Sequence, residues 1–259
     1  MNDSVHAPKI FTPEYYASMR RLEADAWWNA GMRSIGTRLL RHARLPERGR
    51  LLDAGCGSGQ SMEWLGSLFP AWTRYGVDVA SDGLAAAAHI GETVALGSVT
   101  DLPLAESSFD LVISLDVLQH LPLDGGDEAA LREFHRVLRP GGVLLIRTNA
   151  QSFPRVAEDR QHMYRRYEPR DLSHALAVTG FEILRLSRAN SILGLAEIRR
   201  EYRARSSQSN SYYGLLSRPG RSPLNPVKRG MLAIEGRLIA AGVALPLGRA
   251  LFALCRSTS

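Results

Sequence analysis

The stretch Leu51-Leu-Asp-Ala-Gly-Cys-Gly-Ser-Gly59 gathers the residue types best suited to holding a ligand. Glycines at 55, 57 and 59 let the backbone turn sharply and approach a bound molecule at the start of a helix. Their spacing is not that of a dinucleotide fingerprint, because Gln60 stands where Gly-x-Gly-x-x-Gly needs its last glycine. No Lys-Ser/Thr pair follows, which excludes a phosphate-cradling P-loop. Asp53 immediately precedes the first glycine; an acid there repels a pyrophosphate and suits a ligand carrying an ammonium and a sulfonium. Asp78, in Tyr75-Gly-Val-Asp-Val79, ends the next apolar run. In an open parallel sheet that places a carboxylate at the crevice beside the loop, where it can take both hydroxyls of a ribose. Asp101-Leu102 follows a third run and suits an adenine edge, and Asp110–Leu115 ends over the same crevice.

Positioning these groups requires strands that end together. Short apolar runs predict strands at Arg50–Ala54, Thr73–Val77, Thr93–Leu96, Asp110–Leu115 and Val143–Arg147. Helical stretches at Gly59–Leu68, Ser81–His89 and Asp127–Leu138 alternate with them, and Arg139-Pro-Gly-Gly142 stops the last. The alternation predicts an α/β fold with a parallel sheet covered on both faces. Thr12 to His42 carries apolar residues at helical spacing ahead of the first strand. Beyond the fifth strand the pattern predicts a helix over Pro169–Val178, a strand at Phe181–Ser187 and a closing strand at Arg249–Cys255. Between the last two lies a helix, a Ser/Gly/Pro-rich loop at Ser206–Pro226, then a second helix.

Composition fits this reading. The 259 residues are 45% hydrophobic and 22% charged, which argues against disorder. Two cysteines, Cys56 and Cys255, make neither a disulfide framework nor a Cys-rich zinc site, so a reducing, cytoplasmic compartment is expected. The first residues lack a signal peptide's apolar run, and no window reaches the roughly 18 apolar residues of a membrane span. The net charge of +6 is localised: residues 192–245 hold nine Lys or Arg against Glu197, Glu201 and Glu235, while the remainder carries 23 of each sign. That segment reads either as a solvated helical face or as a surface for anionic partners, such as phosphorylated substrate, lipid or nucleic acid.

Asp53-Ala-Gly-Cys-Gly-Ser-Gly59, Asp78, Asp101-Leu-Pro-Leu104 with Phe109-Asp110, Val117-Leu-Gln-His120 and Val137-Leu-Arg-Pro-Gly-Gly142 appear in the order seen in a known family. Together they resemble class I S-adenosylmethionine-dependent methyltransferases, most closely the small-molecule branch similar to ubiquinone-pathway enzymes. The resemblance covers residues 50 to 148. It implies a doubly wound, Rossmann-like sheet of seven strands with an antiparallel last strand, and S-adenosylmethionine as cofactor, leaving S-adenosylhomocysteine, with no metal. It further implies that Gly55 and Leu115 offer carbonyls to the methionine amine, Gly57 packs on the cofactor, Asp78 holds the ribose and Leu102 flanks the adenine. The flanks also resemble a bacterial subgroup in Trp27-Trp28 with Arg33, Arg165-Arg-Tyr167, Leu224-Asn225 and Leu245-Pro-Leu-Gly248, although Ala26 and Asn29 replace that subgroup's histidine and aromatic.

Methyl transfer from a sulfonium is an in-line displacement, so most catalysis comes from positioning, with a base needed only where the nucleophile must lose a proton. His120, just past the fourth strand, is the expected base, the alternative being a residue that only shapes the pocket. His162, Tyr164, Arg166 and Tyr167 are expected over the crevice, with Arg166 and Tyr167 as candidate acceptor ligands. Arg33 reads as a partner for the cofactor carboxylate or as a surface arginine. The expected organisation is a helical cap at 1–49, a cofactor-binding core at 50–191, a basic helical insertion covering the acceptor at 192–245, and a final strand at 246–259. The acceptor is expected to be a small or lipid-like metabolite, with an anionic one compatible, methylated on oxygen, with carbon or nitrogen as alternatives. Peripheral membrane contact is expected, if anywhere, through 192–245. A nucleic-acid methyltransferase is disfavoured because the chain has no Asn-Pro-Pro-Tyr-like motif and no Pro-Cys nucleophile. A non-catalytic cofactor-binding protein is the remaining class, and the sequence sets no oligomeric state.

Overall fold

The computed structural model describes residues 27–89, 93–151, 165–194 and 223–258. The chain forms helix α1 (Trp27–His42), strand β1 (Arg50–Ala54), α2 (Gln60–Leu68), β2 (Thr73–Asp78), α3 (Ser81–His89) and β3 (Thr93–Leu96). It continues with β4 (Phe109–Leu115), a 3₁₀ turn (Leu118–His120), α4 (Gly126–Val137), β5 (Leu138–Asn149), α5 (Pro169–Val178) and β6 (Phe181–Ala189). Helix α6 (Asn225–Ala240) and strand β7 (Ala250–Ser257) complete it. The seven strands form one sheet in the order β3-β2-β1-β4-β5-β7-β6. Strands β1 to β5 pair in parallel, and β7 runs antiparallel to both β5 and β6. This is the doubly wound Rossmann-like architecture expected from the alternating pattern, reversing direction between β1 and β4.

Both faces of the sheet are buried, which is why its central strands read as unbroken apolar runs. Leu52, Val112, Leu144 and Ile146 point into one core with Phe134 of α4 and Leu172 of α5. Leu51, Ile113 and Leu145 point into the other with Met32 and Ile35 of α1 and Leu232 and Ile239 of α6. Helices α1 and α6 pack closely through glycines. A Cβ on Gly31 would overlap Leu232, and one on Gly236 would lie 3.1 Å from Ile35 Cγ1.

The largest boundary differences from the sequence reading involve α4, β5 and α6. Helix α4 ends at Val137 and Leu138 is already extended, so Arg139-Pro-Gly-Gly142 is the irregular opening of β5 rather than the helix stop. Phe109 pairs with Leu138 but Leu111 with Val143, so residues 139–142 bulge out of the register. Helix α6 starts at Asn225, inside the expected loop, because Pro226 in its first turn is compatible with a helix start. The first-helix residues before 27, and most of the basic loop, lie outside the described residues.

Candidate active site

The glycine loop is held by the end of β2. Gly55 and Cys56 both donate their amides to the Val77 carbonyl, at 2.8 and 3.1 Å. Gly55, Gly57 and Gly59 all have positive φ, at 92°, 50° and 82°, a region costly for other residues. At Gly55 size matters as well, since a Cβ there would overlap Val117. Asp78, 8% exposed, ends β2 and clasps the loop: Oδ2 accepts the Gly57 amide at 2.8 Å and Oδ1 accepts that of Ala80 at 2.9 Å. Asp53 is 1% exposed and accepts a hydrogen bond from Ser61 Oγ in the first turn of α2. Gly76 was not singled out by sequence, yet a Cβ there would sit 2.7 Å from Cys56 Sγ and 2.9 Å from Met62 Sδ. Burial, then Asp53 and Asp78, push the Cys56 thiol well up, which keeps it protonated.

The adenine-side assignment changes in detail. Asp101 is exposed, with its amide on the Ser98 carbonyl at 3.2 Å. Leu102 is buried, and its backbone is held by α4: its N–H donates to Glu133 Oε2 at 2.7 Å and its carbonyl accepts from Arg136 at 3.0 Å. The hydrogen bond from Arg136 holds the Glu133 carboxyl below its usual range. Leu102 is therefore fixed as a wall, with its N–H already engaged by a carboxylate.

On the other side of the crevice, Leu115 ends β4 opposite Arg147 of β5. Asp116 follows at φ 60° and pairs with Arg147, whose Nε donates to Oδ1 at 3.0 Å. The Arg147 guanidinium lies 4.8 Å from the Trp28 ring centroid, and Lys228 of α6 sits 4.9 Å from that of Trp27. Nothing in the local pattern pointed to Asp116 or Arg147. Arg33 reaches the first residue of α2, 3.3 Å from the Gln60 carbonyl and 3.4 Å from Gln60 Oε1, so it adjoins the glycine loop rather than open solvent.

His120 closes the 3₁₀ turn after β4, half-buried. Burial lowers its pKa below the ordinary 6.5, with Asp116 opposing, so at pH 7 it is a neutral imidazole able to accept a proton. The turn is pinned along its length. The Leu118 carbonyl accepts from Tyr167 Oη at 3.3 Å, the Gln119 carbonyl from the Arg165 amide at 2.9 Å, and the His120 amide donates to Val117 at 2.9 Å. Gln119 is 2% exposed, and its Oε1 accepts from Thr148 Oγ1 and the Asn149 amide at 3.2 and 3.1 Å.

Tyr167 is not over the crevice. It is 3% exposed, and its hydroxyl also donates to Asp127 of α4, which is ion-paired with Arg165. Burial and the Asp127 carboxylate push its hydroxyl well up. A tyrosine locked into this network supports the His120 turn and is withdrawn as an acceptor ligand. Arg166 is half-buried, and His162 and Tyr164 lie outside the described residues.

Residues 52–146 match the family model described as a methyltransferase domain. Over this segment the chain is similar to methyltransferase domains. A malonyl-[acyl-carrier protein] O-methyltransferase of Dechloromonas aromatica (strain RCB) is 38% identical over 149 residues, 57% of this chain and 52% of that protein. A tRNA (carboxymethyluridine(34)-5-O)-methyltransferase of Arabidopsis thaliana is 35% identical over 102 residues, 39% of this chain and 24% of that protein. The matched region thus spans about half or less of these relatives' length. Haemonchus contortus phosphoethanolamine N-methyltransferase 2, solved with phosphomonomethylethanolamine and S-adenosylhomocysteine, superposes with a TM-score of 0.64 at 18% identity. That likeness covers 96% of this chain and 58% of the other, and it is a likeness of fold.

Proposed function

We propose that this chain is an S-adenosylmethionine-dependent methyltransferase that methylates an oxygen of a small or lipid-like acceptor. The observation that carries the reading is the Asp78 clasp on Gly57, which sets a buried carboxylate beside a positive-φ glycine loop at the carboxyl edge of the sheet. The electrostatics fit that cofactor. Burial raises the Cys56 thiol most, and Asp53 and Asp78 add to that rise; a negative field of this sign favours an ammonium and a sulfonium over a phosphate. Gly55 and Leu115 would hold the methionine amine, Gly57 and Asp78 the ribose side, and Asp101 and Leu102 the adenine. When bound, the cofactor supplies a methyl group on a sulfonium, ready for in-line displacement.

The chain's own part is then to orient the acceptor and manage one proton. His120, neutral at pH 7 and fixed on a pinned turn, would accept the proton of an acceptor hydroxyl. A second reading is favoured by the relatives' names, since malonyl and carboxymethyl groups each present a carboxylate. A carboxylate is already deprotonated near neutrality, and His120 would then only shape the pocket. Segment 192–245 would cover the acceptor, because α6 packs on α1 beside Trp27 and Trp28. Two free, buried cysteines favour a reducing, cytoplasmic setting.

Calorimetric titration with S-adenosylhomocysteine tests the cofactor assignment: saturable binding is expected, and absence of heat sinks it. Mass spectrometry of cell extract incubated with enzyme and methyl-labelled cofactor identifies the acceptor. Label on nitrogen or carbon would overturn the oxygen assignment.

A further inference from the structure

The layer formed by α1 and α6 has a charge and an exposed surface that the transfer reaction does not use. These two helices carry Arg33, Arg38, Arg41, Lys228, Arg229 and Arg237 against one acid, Glu235; Arg33 turns to Gln60 and Lys228 to Trp27, and Arg41, Arg229 and Arg237 are exposed. Glu235 is 6% exposed, and its carboxylate accepts the amides of Asn190, Ser191 and Ile192, so it offers nothing to the surface. The helices on the opposite face are balanced: in α4, Arg132 pairs with Glu128 and Arg136 with Glu133. Among the described helices, the surplus of positive charge falls on α1 and α6.

The same layer carries an apolar stripe. Leu224, Val227, Ile234, Leu238, Val243 and Leu247 are six of the ten large hydrophobic residues exposed among the described residues, and all fall on or next to α6. Val227, Met231, Ile234 and Leu238 lie within about 60° of one another around a helix of 3.6 residues per turn. They face away from Leu232, Gly236 and Ile239, which pack toward α1 and the sheet. Helix α6 is thus apolar on two faces, one in the core and one outward; Arg237 is exposed about 60° around the helix from Ile234, flanking the outward stripe, and Arg229 is exposed at the helix start.

We propose that the outer face of α6, with the exposed arginines of α1 and α6, docks on an anionic lipid bilayer surface. An in-plane helix that sinks apolar side chains to the acyl boundary while arginines meet lipid phosphates explains the stripe and the lack of exposed acid together. A solvated face would leave the stripe unexplained, and an acidic, apolar protein partner is the alternative that absence of pelleting would indicate. The inference does not depend on the acceptor or on the cofactor assignment.

Sedimentation of the full chain with vesicles tests it. The protein should pellet with vesicles of phosphatidylglycerol and phosphatidylcholine, in a salt-sensitive way, and remain in the supernatant with phosphatidylcholine alone. Ile234→Asp with Leu238→Asp should weaken binding at least about tenfold. Arg237→Glu, which alters only an exposed position flanking the stripe, should weaken it several-fold and reduce the salt dependence. Val178→Asp, 54% exposed on α5 at the opposite face, should leave binding unchanged. Near-ultraviolet circular dichroism checks that each variant is folded. No pelleting with anionic vesicles, equal pelleting with neutral ones, or equal loss with Val178→Asp would overturn the proposal. So would an Ile234→Asp/Leu238→Asp variant that loses a dimer in analytical ultracentrifugation while still binding vesicles.

Discussion

At the scale of single residues, the site separates groups that hold the loop from a group poised to move a proton. Asp78 does the holding. Replacing it with Ala removes the acceptor for two amides, and an unsatisfied buried donor costs about 1–3 kcal/mol. Asp78→Ala should therefore lower stability by that order in urea unfolding and weaken S-adenosylhomocysteine binding at least about tenfold by calorimetry, since Gly57 is no longer fixed. Binding insensitive to the change would refute the ribose assignment. On the proposed reading, His120 would move the proton. Its folded pKa lies below 6.5, so turnover with a hydroxyl acceptor should rise with pH through that lower value and be flat by pH 7. His120→Ala should lower turnover at least about tenfold, remove this acidic limb and leave cofactor affinity unchanged. The stability effect has the same sign. Below 6.5 the unfolded chain takes up a proton at His120 before the folded one does, so its contribution is complete above 6.5 and is lost as pH falls through the folded value. Unchanged turnover in His120→Ala would instead support a carboxylate acceptor.

Elements decide how firmly those residues are held. The turn bearing His120 is fixed by groups from β5 and from residues 165–167, and Gln119 is its main tie to the sheet. Gln119→Ala should reduce turnover several-fold, to about a fifth or less, while the pH limb persists because His120 is still present. Equal turnover would mean that the turn holds without it. In the helical layer, a buried and an exposed helical glycine should respond oppositely to alanine. Gly31→Ala drives a methyl into Leu232 and should cost about 1–3 kcal/mol by denaturant unfolding. Gly230→Ala, inside α6 with nothing within 4 Å of the added Cβ, should stabilise by about 0.5–1 kcal/mol. Much of this scaffold was legible in sequence because each central strand is buried on both sides, and glycine or proline marks most of its ends. The glycine loop and Asp78 were legible for the same local reason. Other features join residues far apart in the chain. Asp116 and Arg147 are separated by 31 positions, Leu102 and Glu133 by 31, and Asp127 and Tyr167 by 40. No periodicity records such a pair, and Tyr167 was misplaced because a tyrosine beside two arginines in a connecting segment reads locally as surface.

At the scale of the whole molecule, the question is whether 192–245 is an appendage or part of the folding unit. Its charge makes it look separate in sequence, since the rest of the chain is neutral. Its described residues contradict separation. Leu232 and Ile239 belong to the same core as Leu51 and Ile113 of the central strands, and Glu235 caps the amides that follow β6. A buried carboxylate that accepts three backbone amides is costly to remove, because each loses a charge-assisted bond at a site closed to water. Glu235→Ala should accordingly lower stability by about 2–4 kcal/mol. The shape of the transition carries the larger point. If α6 folds with the sheet, both wild type and variant unfold in one step, with fluorescence and far-ultraviolet circular dichroism coincident and the midpoint shifted. If the segment is an independent appendage, the variant should show an early partial transition followed by one at the wild-type midpoint. The core shared by α1, α6 and the sheet predicts the single, shifted transition, and two separated steps would refute it.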